Sequence, residues 1–513
     1  MAALLAVAMV SAGCKKKHEN EQAYLALGEQ VAAAEASDLR LSPDGKTALF
    51  LKEGQKPRIN GIPPEMRVGE LYAVATSGGG ARKLGNGVTN VPGGFSFSAD
   101  SRWVLFLSGY NAAEQAGTLE AVDLSSADFR PVQLGEGVTY FLASPDSHQV
   151  AFVANGVLSV GPLPEGPFKQ ISGQVQTADF TADAKWLVFK RRLSAAGGLF
   201  IWPVDGSKEP IKLGEQVGDQ VSSPDSRRIA FTQRSREVPS TYDLFLASAP
   251  EWKAKQIASG AGVFAFSPDS AWLGRTENGR PDQLGDLFVG PADGSAGKKI
   301  ATRVNEFRFA PTSDAVAYLE LFDISSRAGV LGVATLPDGE PKRIGNRAPN
   351  FGWAPDGKSV AFISRFLKPI YSVDLMLYRL GEEAAFKVNP GVFGYEYDPK
   401  GRYLVFRTNC LNQGRYCDLM KLDLAEPRKP PVKIIEGVYT FRPSTDGERI
   451  LVTYARRDTK LYDAAVFNVA RNERKTVAQF IELPALFDRE GSKVVYIVGN
   501  DQAPGVYVAS KIP

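Results

Sequence analysis

Histidine and cysteine are nearly absent from this chain. Its 513 residues include two histidines, His18 and His148, and three cysteines, Cys14, Cys410 and Cys417. A serine hydrolase of the Ser-His-Asp type needs a histidine beside its nucleophile, usually presented by a G-x-S-x-G elbow. No such elbow occurs. His18 lies in a lysine run near the start, and His148 follows an S-P-D turn where a solvated side chain is expected. Histidine-rich zinc sites are excluded on the same count. Walker and dinucleotide glycine fingerprints are missing, and the glycines of SGGGAR and GNGV read as turns between strands. No segment carries the 3.6-residue periodicity of a long capped helix. The apolar run Ala2 to Val10 is too short to span a bilayer. Charge is balanced, with 60 basic against 57 acidic residues. An enzyme working through carboxylates alone, or a central Asp/Glu/Asn metal site, is left open by these absences. No residue set points to one, so neither enzymatic activity nor a cofactor is expected.

What the chain has is repetition. LSPDGKTALF, from Leu41 to Phe50, is echoed by FSADSRWVLF, ASPDSHQVAF, FTADAKWLVF, SSPDSRRIAF, FSPDSAWLGR, FAPTSDAVAY, WAPDGKSVAF and YDPKGRYLVF. Two looser copies, STDGERILVTY and DREGSKVVYIV, follow. The equivalent turn positions are Asp44, Asp100, Asp146, Asp183, Asp225, Asp269, Thr312, Asp356, Lys400, Asp446 and Glu490. Most intervals lie close to 44 residues. Within each copy, proline presets the turn, aspartate can bond the local backbone, and glycine or serine releases the chain into an apolar strand. A second phrase follows (GELYAVAT, GGLFIWPV, YDLFLASA, GDLFVGPA), and a third closes the unit (ARKLG, PVQLG, PIKLG, PKRIG). Each unit therefore reads as four short antiparallel strands, A to D, with the S-P-D turn between A and B.

A four-stranded sheet cannot hide both faces alone, and radial stacking of neighbours buries them. The predicted fold is all-β, a β-propeller of about eleven four-stranded blades covering residues 22–513. Eleven exceeds the usual four to eight, so two packed propellers are expected, with one large ring as the alternative. Tyr24 to Gly28 resembles a D strand without its A, B and C, and the closing GVYVASK resembles a C strand without its D. Their pairing would close the last blade with the N-terminal strand. Trp103, Trp186, Trp272 and Tyr403 recur three residues after the turn aspartate or its equivalent. Blade-to-blade packing is the expected role of these rings.

The first thirteen residues read as a secretory signal. SAGC, ending at Cys14, resembles the lipobox of bacterial lipoproteins. That resemblance implies a signal peptide over 1–13, a diacylated Cys14 as membrane anchor and a polar tether over 14–21. The lysines after Cys14 imply the outer membrane, facing the periplasm. Cys410 and Cys417 flank the loop LNQGRY between two antiparallel strands, and a disulfide is expected there. Strand B tends to run out into basic residues: Arg191 and Arg192, Arg234 and Arg236, Arg275, Arg365, Arg407, Arg456 and Arg457. At the B–C loops these would form one basic rim, able to steer an anionic partner.

The S-P-D-G turn followed by D-L-F/Y and K-x-L/I-G resembles the WD40-like (PD40) repeat of TolB-type propellers, found in bacterial envelope proteins. The resemblance covers nearly all of the chain after the tether. It implies a protein-interaction platform in the cell envelope; together with the lipobox-like start, the expected protein is a lipid-anchored, monomeric, non-catalytic propeller that binds or scaffolds an envelope protein or anionic polymer. Nucleic acid is not expected as a partner. The alternative is an envelope enzyme or ligand sensor with a carboxylate or metal site on the central channel.

Overall fold

A computed structural model describes residues 28–57, 63, 65–192, 197–280, 283–365, 373–457, 459–499 and 503–513. The described residues form 42 strands. The architecture is an all-β propeller whose strand pairs are antiparallel throughout. Phe351–Trp353, Ser359–Arg365, Val373–Arg379 and Phe386–Asn389 make one representative blade, a meander in chain order.

The expected partition into eleven separate blades, in two packed propellers or one large ring, needs correction. The structure has seven four-stranded blades and, besides them, two seven-stranded sheets. In each large sheet two repeats are merged. Val132–Ala143 runs without a break from the D position of one repeat to the A position of the next, and Glu473–Phe487 does the same. Counting S-P-D turns counts repeats, not sheets, because it is blind to the D-to-A link. Two compact units result. Among the described residues, one comprises 28–137, 395–422 and 432–513, and the other 138–394 and 423–431. In the first unit Glu29–Ala33 pairs with Gly505–Ala509, with Glu29 opposite Val508 and Ala33 opposite Gly505. The strand expected at Tyr24 to Gly28 falls almost wholly outside the described residues.

The turn chemistry repeats closely. Ser42 Oγ donates to Asp44 Oδ1 at 2.6 Å, the Lys46 amide donates to the same carboxylate oxygen, and the Thr47 amide donates back to Ser42 Oγ. The residue after the aspartate is left-handed, and is Gly45 (φ 73°) or Gly357 (φ 70°) in some repeats. Elsewhere serine takes that strained position, as at Ser226 (φ 62°) and Ser270 (φ 61°). A contact offsets the strain: the Asp183 amide donates to Ser226 Oγ at 3.0 Å and the Asp225 amide to Ser270 Oγ at 2.9 Å. Each serine thus ties its own turn to the turn of the preceding repeat.

The core lies between consecutive sheets. Leu49, Leu71 and Leu84 of one sheet pack with Phe95, Val104 and Phe106 of the next. The closing K-x-L/I-G phrase acquires a reason here. A Cβ on Gly85 would stand 2.3 Å from the Phe106 ring, one on Gly214 2.5 Å from Phe231, and one on Gly345 2.3 Å from Phe362. The D-strand glycine of one repeat seats the B-strand phenylalanine of the following one. The repeated bulky rings also serve packing. Trp186 meets Trp252 edge-to-face at 5.1 Å, Trp272 lies against the cluster holding Val316 and Tyr318, and Trp103 is buried. The Tyr403 hydroxyl donates to the Gly447 carbonyl of the next repeat.

Candidate functional site

The nine arginines singled out from the sequence meet different fates. Arg275 is only 4% exposed; its Nε donates to Glu277 Oε1 at 2.8 Å, and its Nη1 has no hydrogen-bond partner. It lies inside the strand Trp272–Glu277, which continues for two residues past it. Arg407 lies within Tyr403–Leu411 and donates to the carbonyls of Gly414 and Tyr439. Burial lowers its pKa. Arg456 holds Asp463 through Nη1 at 2.7 and 2.9 Å, with its guanidinium 3.7 Å from the Phe480 ring centre. Arg191 is half-buried, 5.6 Å from the Phe200 ring. Arg365 ends its strand, and its side chain lies outside what the structure describes.

Arg192, Arg234, Arg236 and Arg457 are exposed. Arg234 Nε donates to the Pro239 carbonyl at 2.8 Å, so its own B–C loop holds it in place. Arg192, Arg234 and Arg236 belong to the unit formed by 138–394 with 423–431, and sit where two of its B strands give way to the loops. None of these three forms an ion pair among the described residues.

A second arrangement was not legible in the sequence. In the unit that holds Glu29–Ala33 and Gly505–Ala509, a recess of about 560 Å³ is lined by Glu35, Glu53, Arg67, Glu482 and neighbouring backbone. Its residues come from stretches more than 400 positions apart, and no motif marks them. Glu53 forms an ion pair with Lys52 at 3.3 Å. Nearby, Asp38 accepts from Ser37 Oγ at 2.7 Å and from Asn90 Nδ2 at 2.8 Å. Burial, and then the charge of Asp38, push the pKa of Glu482 above its ordinary value.

That shift has a definite sign. A carboxyl whose folded pKa is raised favours the folded state at low pH, and that advantage is lost as pH rises through the raised value. Glu482→Gln should therefore be at least as stable as the parent at pH 7. Its relative advantage should vanish on acidification below the ordinary glutamate range. Urea midpoints measured across about pH 3.5 to 7.5 check this; a variant whose advantage grows towards acid would contradict it.

Among the described residues, no group of three His, Cys, Asp or Glu side chains is arranged to hold a metal. No described helix is long and apolar enough to cross a membrane. His148 is exposed beside Asp146, with Nδ1 3.6 Å from the carboxylate. Cys410 and Cys417 form a disulfide. It joins Tyr403–Leu411 to Tyr416–Asp423, the two strands between which the sequence placed it. Cys14, the expected lipid anchor, lies outside the described residues.

No protein-family model matches the chain. It is 22% identical over 315 residues to dipeptidyl-peptidase 5 of Porphyromonas gingivalis, a match covering 55% of this chain and 44% of that protein. It is 28% identical over 165 residues to the uncharacterized peptidase YuxL of Bacillus subtilis, covering 31% of this chain and 22% of that one. The matches thus span less than half the length of these curated relatives. Solved structures with the propeller fold resemble it at low scores. An oligogalacturonate lyase in complex with manganese covers 95% of this chain and 98% of its own, at 11% identity and a TM-score of 0.31. A protein described as TolB from Agrobacterium tumefaciens covers 50% of this chain and 93% of its own, at 15% identity and a TM-score of 0.26.

Proposed function

We propose that this chain is a non-catalytic binding propeller of the bacterial cell envelope that docks an acidic partner through exposed arginines. The observation that carries the reading is the set Arg192, Arg234 and Arg236. All three are exposed at B–C loops of one compact unit, without an ion-pair partner among the described residues. The exposed Glu215 carboxylate feels the charge of Arg236 as well as that of Lys212; exposed positive charge in excess of acid at a loop rim steers anionic surfaces and makes association salt-sensitive. The Cys410–Cys417 bridge accords with an oxidising compartment. The lipobox-like SAGC would place the protein on a membrane through Cys14, at the outer membrane facing the periplasm.

The test uses the full chain and fluorescent oligoglutamate as probe, followed by polarisation at low and high salt. Exposed pairs contribute roughly 0.2–1 kcal/mol each. Replacing all three arginines with serine should therefore weaken low-salt binding by about tenfold and flatten the salt dependence. Unchanged binding would remove the arginines from the reading. The non-catalytic half is tested with a dipeptidyl chromogenic substrate, from which no product release is expected; turnover would replace this reading with an enzymatic one.

A further inference from the structure

Beside two of these arginines the surface opens into a small slot. It is about 190 Å³ and is lined by Tyr242, Gly260, Gly262, Val263, Thr276 and Gly285 together with neighbouring backbone. Ligand pockets for small molecules usually run from about 300 to 1,000 Å³. This one has room for a single bulky side chain. Glycines keep it open. A Cβ on Gly260 would stand 2.7 Å from the Gly279 carbonyl oxygen, one on Gly262 2.9 Å from Thr276 Oγ1, and one on Gly285 2.6 Å from the Glu277 carbonyl oxygen. The floor is rigid. The Gly262 amide donates to Thr276 Oγ1 at 3.1 Å, and the Gly279 amide donates to the Gly260 carbonyl at 2.8 Å.

Its mouth is apolar where the surrounding surface is polar. Tyr242 and Val263, both in the wall, are 42% and 41% exposed, and Val238, on the loop leading to Ser240 and Thr241, is 50% exposed. These are three of the nine large apolar side chains left exposed among the described residues. Scattered single exposures need no explanation, but a cluster around a concavity marks an interaction site. The charge beside it is positive. Arg234 stands opposite Tyr242 in the strand pair, Arg236 lies on the same loop, and Arg280 is exposed on the slot's far side. Glu237 on that loop and Glu215, which feels the charge of Arg236, are exposed carboxylates nearby, so among the described residues Arg234, Arg236 and Arg280 outnumber these two acids.

We infer that this slot receives one bulky apolar side chain of an acidic protein segment, whose flanking carboxylates meet Arg234, Arg236 and Arg280. The inference rests on the reading of an acid-binding rim and adds to it a specificity pocket. Charge brings the segment in, and the buried side chain selects among acidic segments.

Two labelled peptides separate the ideas: an oligoglutamate carrying one central phenylalanine, and its match with serine at the centre. The full chain should bind the phenylalanine peptide about tenfold more tightly, equivalent to about 1.4 kcal/mol. Gly262→Val, which fills the slot, and Tyr242→Ser, which strips its exposed wall, should both erase that preference. Neither should alter the affinity for the serine peptide. Should Gly262→Val fail to fold, Tyr242→Ser decides the matter, since it alters an exposed side chain. Equal binding of the two peptides by the parent chain would overturn the slot while leaving the basic rim standing. Failure of both peptides to bind at low salt would overturn the rim reading and the slot with it.

Discussion

Gly345→Ala is expected to destabilise the protein by about 1–3 kcal/mol, although it adds only one methyl group to an extended strand. The methyl would stand 2.3 Å from the ring of Phe362, which is 1% exposed and has no vacant direction in which to retreat. Overpacking of this kind forces off-rotamer side chains or backbone shifts of that order. Phe362→Ala should cost more, about 3–5 kcal/mol, because it empties the seat and leaves Ile344, Leu331 and Tyr378 facing a cavity. The informative measurement is the double variant. Once the ring is gone the added methyl has space, so the two penalties should not add, and a coupling of at least about 1 kcal/mol is expected. Urea denaturation of the four proteins gives the cycle. Strict additivity would mean that the glycine is retained for its backbone and not for the ring across from it. The same test at Gly85 with Phe106, and at Gly214 with Phe231, should reproduce the pattern.

Removing the disulfide by replacing Cys410 and Cys417 together with serine should lower stability by roughly 2.5 kcal/mol. The bridge closes a short loop, with a sequence separation of 7, and the chain-entropy relation gives a value of that size for so small a ring. Reductant should shift the parent towards the variant and leave the variant unmoved. The effect should concentrate on the hairpin formed by Tyr403–Leu411 and Tyr416–Asp423, which hydrogen exchange can resolve. If the parent melts identically with and without reductant, the bridge contributes nothing to stability in solution.

These two predictions differ in how visible their origins are before folding. The cysteine pair was legible because both residues sit on adjacent strands joined by a short loop, a local relation that strand assignment captures. The glycine–phenylalanine seat was half legible. The K-x-L/I-G phrase and the phenylalanine after the S-P-D turn both recur in the sequence, but that one receives the other is a contact between sheets. The basic rim shows the same limit. Nine arginines follow strand B in six repeats of the pattern, yet Arg275 is enclosed within a strand beside Glu277, Arg407 caps the carbonyls of Gly414 and Tyr439, and Arg456 grips Asp463. Arg192, Arg234 and Arg236 remain on the surface. The slot at Tyr242 was not legible: Tyr242 and Gly285 open two copies of the second repeated phrase, YDLFLASA and GDLFVGPA, but no pattern along the chain shows that they meet Gly260 and Gly262 around one concavity.

By itself the sequence determined the repeat, the antiparallel strand order within it, the turn chemistry at each S-P-D phrase and the disulfide. All of these are set by residues close together along the chain, where backbone preference and alternation of apolar side chains act directly. Tertiary structure alone decided how repeats share sheets, which arginines reach solvent, and where a recess or slot opens. Each of those outcomes depends on surfaces from distant repeats meeting, and a one-dimensional pattern does not encode how far a strand runs or what stands across from it.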